Sequence, residues 1–158
     1  MKYKKQIQLI AAILTLIVFP VIAFYLMEAY THNPFEEVRP WAQFFNILLF
    51  ELLAWIFVSV TGKIRCGLRI ELVTAMIYGI ANAYVVRFRT NPIVPWDIFS
   101  WKTAASVVSN YDFKPDTRMV VVMLVFLGMI VLLQFVKTAI PKFQLWKRLI
   151  PAGVCCIV

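Results

Sequence analysis

Few side chains in this sequence carry groups able to do chemistry, and most of them share one stretch. Arg87 to Phe113 reads RFRTNPIVPWDIFSWKTAASVVSNYDF, with two prolines, two tryptophans, cations and acids between nearly pure hydrocarbon segments. A connector this long and amphipathic is rarely a passive turn. The guanidinium groups of Arg87 and Arg89 suit a lipid phosphate; the alternative is that they snorkel and cap the helix end before them. Trp96 and Trp101 are natural anchors at headgroup depth. With Asp97 and Lys102 they complete the candidate lipid- or substrate-proximal set.

A second constellation lies within an apolar run. Glu51 falls near the middle of the segment 42–60, with Asn46 five residues earlier. A carboxylate at bilayer centre costs on the order of 3 kcal/mol, so Glu51 must face protein, a partner or water. It is either a polar site inside a helix bundle or a hydrogen-bonded glue between helices. The i to i+5 spacing sets the two residues on different faces.

Other chemistries are excluded by composition. His32 is the only histidine, so no multi-histidine metal site can form, and no Gly-rich phosphate loop, G-x-S-x-G turn or HExxH is present. Of three cysteines, Cys66 stands beside a basic loop, while Cys155 and Cys156 lie in the last apolar run as small fillers. Hydrophobic residues make up 62% of the 158 and mean hydropathy is +0.80, well above a soluble domain. The net charge of +8 sits in short loops beside apolar segments, which points to membrane topology and not to nucleic acid.

The elements that would position these groups follow from span length. Roughly 20 apolar residues cross a hydrocarbon core about 30 Å thick. Such runs are expected over 7–30, 42–60, 68–86 and 119–136, with a fifth begun at 149–158. Pro20 permits a kink in the first. Trp41 opens the second, and Glu28 to Pro40 is a polar loop holding Glu36, Glu37 and Arg39. Glu71 is expected in the first turn of the third span, suiting the helix N-terminus and pairing with a nearby arginine. Gly79, Ala81 and Ala83 would admit a close neighbour, and Gly128 in the fourth span reads as a packing contact. Pro115-Asp116-Thr117 supplies a helix stop and an N-cap.

Within the connector, Pro95 to Tyr111 read as a helix places Ile98, Trp101, Ala105 and Val108 on one stripe. Pro95 and Asp97 favour its start, and its polarity suits a helix lying in the interface. The fold class is therefore all-α: a polytopic membrane bundle of four full spans plus a truncated fifth, with an interfacial helix between helices 3 and 4. Orientation follows Lys/Arg bias. With the N-terminus in the cytoplasm, the inside segments hold Lys2, Lys4, Lys5, Lys63, Arg65, Arg69, Lys137, Lys142, Lys147 and Arg148, unopposed by any acid. The connector 87–117 is then extracellular at the cell membrane. The final run is half the length needed to cross, so the chain reads as a piece of a longer one.

The motif Arg89-Thr-Asn-Pro-Ile-Val-Pro-Trp-Asp97, continued by Ser100, Thr103-Ala104 and Asn110-Tyr111-x-Phe113, resembles the membrane region of the lipoteichoic acid synthase family. Trp96 and Lys102 depart from it where smaller residues are expected, as does Thr90 where glycine is common. The resemblance implies five transmembrane helices ahead of an extracellular alkaline phosphatase/sulfatase-superfamily domain. That domain would move glycerol phosphate from phosphatidylglycerol through a metal-activated threonine. The catalytic residues and a divalent metal (Mn or Mg) would then lie after Val158, with no catalytic residue, metal ligand or cofactor in this chain. The chain itself would anchor and present an anionic phospholipid. The alternatives are a phosphoethanolamine transferase-type membrane domain, a transporter or channel subunit lined by Glu51 and Asn46, and a small scaffold protein.

Overall fold

The computed structural model describes residues 2–100 and 114–136. Among these, every regular element is helical: α1 Lys2–Glu28, α2 Pro34–Glu37, α3 Pro40–Thr61, α4 Ile64–Arg89, a 3₁₀ helix Pro95–Ser100, and α5 Thr117–Leu132. Two helices, over Gln6–Glu28 and Pro40–Thr61, are long and apolar enough to cross a membrane. α5 is apolar but has only 16 residues, and α4 carries charges along its 26. The expected runs 7–30, 42–60, 68–86 and 119–136 fall on α1, α3, α4 and α5; the run 149–158 lies outside the described residues.

Local signals set most boundaries. Asn33 caps α2 by accepting from the Phe35 N–H at 3.2 Å, and Asp116 caps α5 through the Thr117 N–H at 2.7 Å. Pro40 occupies the first turn of α3, where its missing N–H costs nothing. Gly62 ends α3 in the left-handed region (φ 65°), where the absent Cβ removes the steric penalty. Pro20 stays within an unbroken α1. Gln43 is fully used: it accepts from the Tyr25 hydroxyl at 3.0 Å and donates to the Pro34 and Val38 carbonyls at 2.9 and 2.8 Å. One amide thereby ties α1, α2 and α3 together.

α4 is the hub, packing against α1, α3 and α5. Its buried residues Ile64, Gly67, Leu68, Glu71, Leu72, Ala75, Gly79 and Ala83 recur at three- and four-residue spacing, one continuous stripe. Small side chains on that stripe let neighbouring backbones approach. A Cβ at Gly67 would stand 2.5 Å from the Val58 nitrogen on α3, and one at Gly79 2.5 Å from the Tyr30 ring. Tyr30 in turn stacks on Phe126 of α5, centroids 6.0 Å apart, while Phe24 meets Phe50 edge-on at 5.8 Å.

Three expectations need correction. Glu71 is not in a first turn: α4 starts at Ile64, so Glu71 is its eighth residue and lies in the core stripe. Gly128 is no packing contact among the described residues, since a Cβ there meets nothing within 4 Å. Ala81, grouped with Gly79 and Ala83 as a contact position, is exposed.

The Gly67 contact is with backbone, which cannot step aside. Gly67→Ala is expected to destabilise the detergent-solubilised chain by about 1–3 kcal/mol through overpacking. Gly128→Ala should melt at or above the wild-type temperature, gaining up to ~1 kcal/mol of helix propensity. Thermal melts followed by circular dichroism compare the two.

Candidate functional site

The end of the bundle where α1 and α4 finish and α3 begins carries two linked features, a polar clamp and a cavity. The clamp starts at Thr90, which follows α4 at φ 63° and donates its N–H to the Val86 carbonyl at 2.8 Å. A β-branched residue in this left-handed position is strained, where glycine would not be. The chain then turns back on α4. The Ile93 N–H donates to Asn82 Oδ1 at 2.8 Å, and the Tyr78 hydroxyl donates to the Ile93 carbonyl at 3.5 Å.

Arg89 closes the turn. It donates from Nη1 to Asp97 Oδ1 at 2.7 Å and from Nη2 to Oδ2 at 2.8 Å, a bidentate pair, and Nη2 also reaches the Pro92 carbonyl at 3.0 Å. Asp97 Oδ2 accepts a third bond, from the Val94 N–H at 2.8 Å. With Pro95 first in the 3₁₀ helix, Asp97 is third and reaches back to the residue before the helix, as in a capping box. The Arg89 bond first, then the Val94 N–H, holds the Asp97 carboxyl down to about 2, and the same bond raises the Arg89 guanidinium.

The other sequence-predicted residues fall as follows. Arg87 is exposed and donates to the Lys114 carbonyl at 3.1 Å, pinning the chain ahead of α5 to the end of α4. Trp96 and Phe99 are each 76% exposed with rings 5.9 Å apart, an aromatic pair projecting from the clamp. Trp101 and Lys102 lie outside the described residues. So does most of the expected helix 95–111, whose described beginning is 3₁₀.

The cavity, of about 680 Å³, runs from the clamp down between α1, α3 and α4. Thr90 and Pro92 of the motif form part of its rim, with Glu28 at the end of α1 and Thr31, His32 and Glu37 beyond it. His32 Nε2 lies 3.2 Å from Glu28 Oε2, and Nδ1 lies 2.8 Å from the Thr31 hydroxyl. Leu49, Phe50, Leu53 and Phe57 of α3 make an apolar wall. Thr74, Tyr78, Asn82 and Val86 descend α4 to Glu71, about 22 Å from Val86 along the axis.

Asn46 lines this cavity and Glu51 does not, the separation that their spacing implied. Glu51 Oε1 is buried without a hydrogen-bond partner, and both oxygens of Glu71 are in the same state, with the residue 2% exposed. Glu71 is the residue that sequence reasoning missed as a site. The signal was Gly62, a helix stop that moves the next helix start back to Ile64 and carries Glu71 into the core stripe.

Comparison with protein-family models, with curated proteins and with solved structures finds no match for this chain. Among the described residues, no three His, Cys, Asp or Glu side chains gather as a metal site would require.

The clamp has an acid limit that follows from its bonding. A carboxylate whose pKa is lowered on folding contributes fully above its ordinary value of 3.8 and loses that contribution as pH falls through about 2. The Asp97 carboxyl carbon should therefore titrate near 2 by NMR, and a midpoint near 3.8 would refute the bidentate pair. Thr90→Gly should raise thermal stability by about 1 kcal/mol by relieving the left-handed strain.

Proposed function

We propose that this chain is a polytopic membrane domain that anchors an extracellular phospholipid headgroup transferase and forms its lipid-facing platform. In this reading α1, α3, α4 and α5 all span, a fifth span follows, and the N-terminus is cytoplasmic. The clamp and the rim of the cavity then stand at the extracellular surface. The donor would be an anionic phospholipid such as phosphatidylglycerol. The catalytic threonine and its divalent metal (Mn or Mg) would belong to a domain carried after this chain.

The observation carrying this reading is the clamp. The residues of the family-like motif, scattered over nine positions from Arg89 to Asp97, meet in one closed hydrogen-bonded unit. That unit projects Trp96 and Phe99 outward at the level where interfacial aromatics anchor. The acid-free cluster Lys63, Arg65 and Arg69 at the opposite end favours the cytoplasm there. The largely unburied apolar face of α3 suits contact with lipid tails. Phosphoethanolamine transfer uses the same platform and differs only in the headgroup.

A transporter or channel subunit is the second reading, favoured by the cavity that descends α4 to Glu71. Neither reading uses Arg89 as a free phosphate ligand, because Asp97 already engages both of its terminal nitrogens.

Two measurements test the proposal. Cysteine accessibility in intact cells should label position 91 from outside and position 63 only after permeabilisation. In the full-length protein, Asp97→Ala should lower headgroup transfer about tenfold by misplacing the platform, with membrane insertion unchanged. Full transferase activity in that variant would remove the platform from the mechanism.

A further inference from the structure

Glu71 is the acid with both carboxyl oxygens buried and unpartnered, where Glu51 has one. Asp97 is held by Arg89, Glu28 has His32 beside it, and Glu36 and Glu37 lie exposed at the surface. Glu71 alone among the cavity's acids combines 2% exposure with two unpartnered oxygens. A carboxyl so placed stays ionised only beside a counter-charge or a donor. Arg69 is only two residues away, but i and i+2 project to different sides of a helix. No salt bridge joins them, and the Arg69 Nε is itself buried without a partner.

The cavity above Glu71 indicates what kind of cation would fit. A volume of about 680 Å³ lies in the range of small organic ligands, far above what a bare ion needs. Its wall on α3 is apolar, and Phe50, Phe57 and Tyr78 put aromatic rings along the descent. Aromatic faces attract organic cations as well as hydrocarbon. A divalent metal wants several oxygen ligands, whereas no group of three metal-ligating side chains forms among the described residues. No lysine or arginine lines the cavity.

We propose that this cavity binds a lipophilic organic cation, an apolar body bearing a quaternary or protonated amine-type charge, with Glu71 as its counter-ion. The rim acids Glu28 and Glu37 favour entry of positive charge. The site is independent of the headgroup-transfer reading, since its counter-ion and apolar wall belong to α4 and α3 and not to the Arg89–Asp97 pair.

A matched pair of probes tests this on the intact wild-type chain in non-ionic detergent. Tetraphenylphosphonium and tetraphenylborate share size and shape and differ in the sign of charge. Equilibrium dialysis should show displaceable binding of the cation at least about tenfold tighter than of the anion, ~1.4 kcal/mol. The chain's net charge of +8 biases non-specific attraction the other way, so a cation preference reports the cavity. Glu71→Gln should lose at least about tenfold in cation affinity while Glu71→Asp keeps measurable binding. Equal affinity for the two probes, or absence of displaceable cation binding by the folded wild type, overturns the proposal. So does a folded Glu71→Gln chain that binds the cation as before. If Glu71→Gln does not fold, the probe pair on the wild type still decides.

Discussion

The close approach of three helices to α4 is the constraint on which the rest of this bundle depends. It requires Gly67 against the Val58 backbone and Gly79 against the Tyr30 ring, positions where even a methyl group has no room. Once those contacts are made, the register of α4 is fixed relative to α1 and α3. That register carries Glu71 into the core and brings Asn82 to the level where it can receive the Ile93 N–H. Clamp and cavity are therefore consequences of one packing solution. In lipid, where burial of hydrocarbon offers little drive between helices, such small-residue contacts supply dispersion and allow polar groups to meet.

The clamp shows how a motif with an apparently chemical composition can be explained by backbone needs. Thr90 takes the left-handed position that ends α4, and Pro95 opens the 3₁₀ helix. Asp97 satisfies the Val94 N–H and fastens Arg89, which also secures the Pro92 carbonyl. Each polar residue at Arg89, Thr90 and Asp97 thus has a structural partner. A turn fastened at so many points is stiff, and it leaves Trp96 and Phe99 exposed as an outward aromatic pair.

Much of the fold was legible in the sequence because hydrophobic length and helix-end chemistry are local. Four apolar runs became helices, Asp116 became an N-cap, and the start of a helix at Pro95 followed from proline and aspartate together. The site was legible only in part. Arg89 and Asp97 stood out as residues, but their mutual pairing depends on a chain reversal at Thr90 that spacing does not reveal. Asn46 was seen and its cavity was not, since a cavity is a property of three helices at once. Glu71 was misplaced because three cations, Lys63, Arg65 and Arg69, made the segment before it look like loop. Arg65 belongs instead to the helix, and reaches the Gln134 carbonyl at 3.4 Å.

That last contact belongs to a wider pattern of charge placement. Arg65 holds the carbonyl end of α5, Arg118 donates to the Ala29 carbonyl at 2.7 Å just past α1, and Arg87 holds Lys114. Helix C-termini present orphan carbonyls and a negative dipole end, which suits the Arg65 and Arg118 bonds and the place of Arg87 in the last turn of α4. In a chain with net charge +8, the described arginines with long-range bonds are engaged at the ends of helices, away from the cavity. No lysine or arginine lines the cavity, so the acids that face it meet no cation there. A helix bundle that fastens its ends with arginine and keeps a carboxylate at the floor of an apolar cavity has separated structural charge from available charge. The group left without a partner there is an acid, and its place follows from the packing of α4 without reference to any particular substrate.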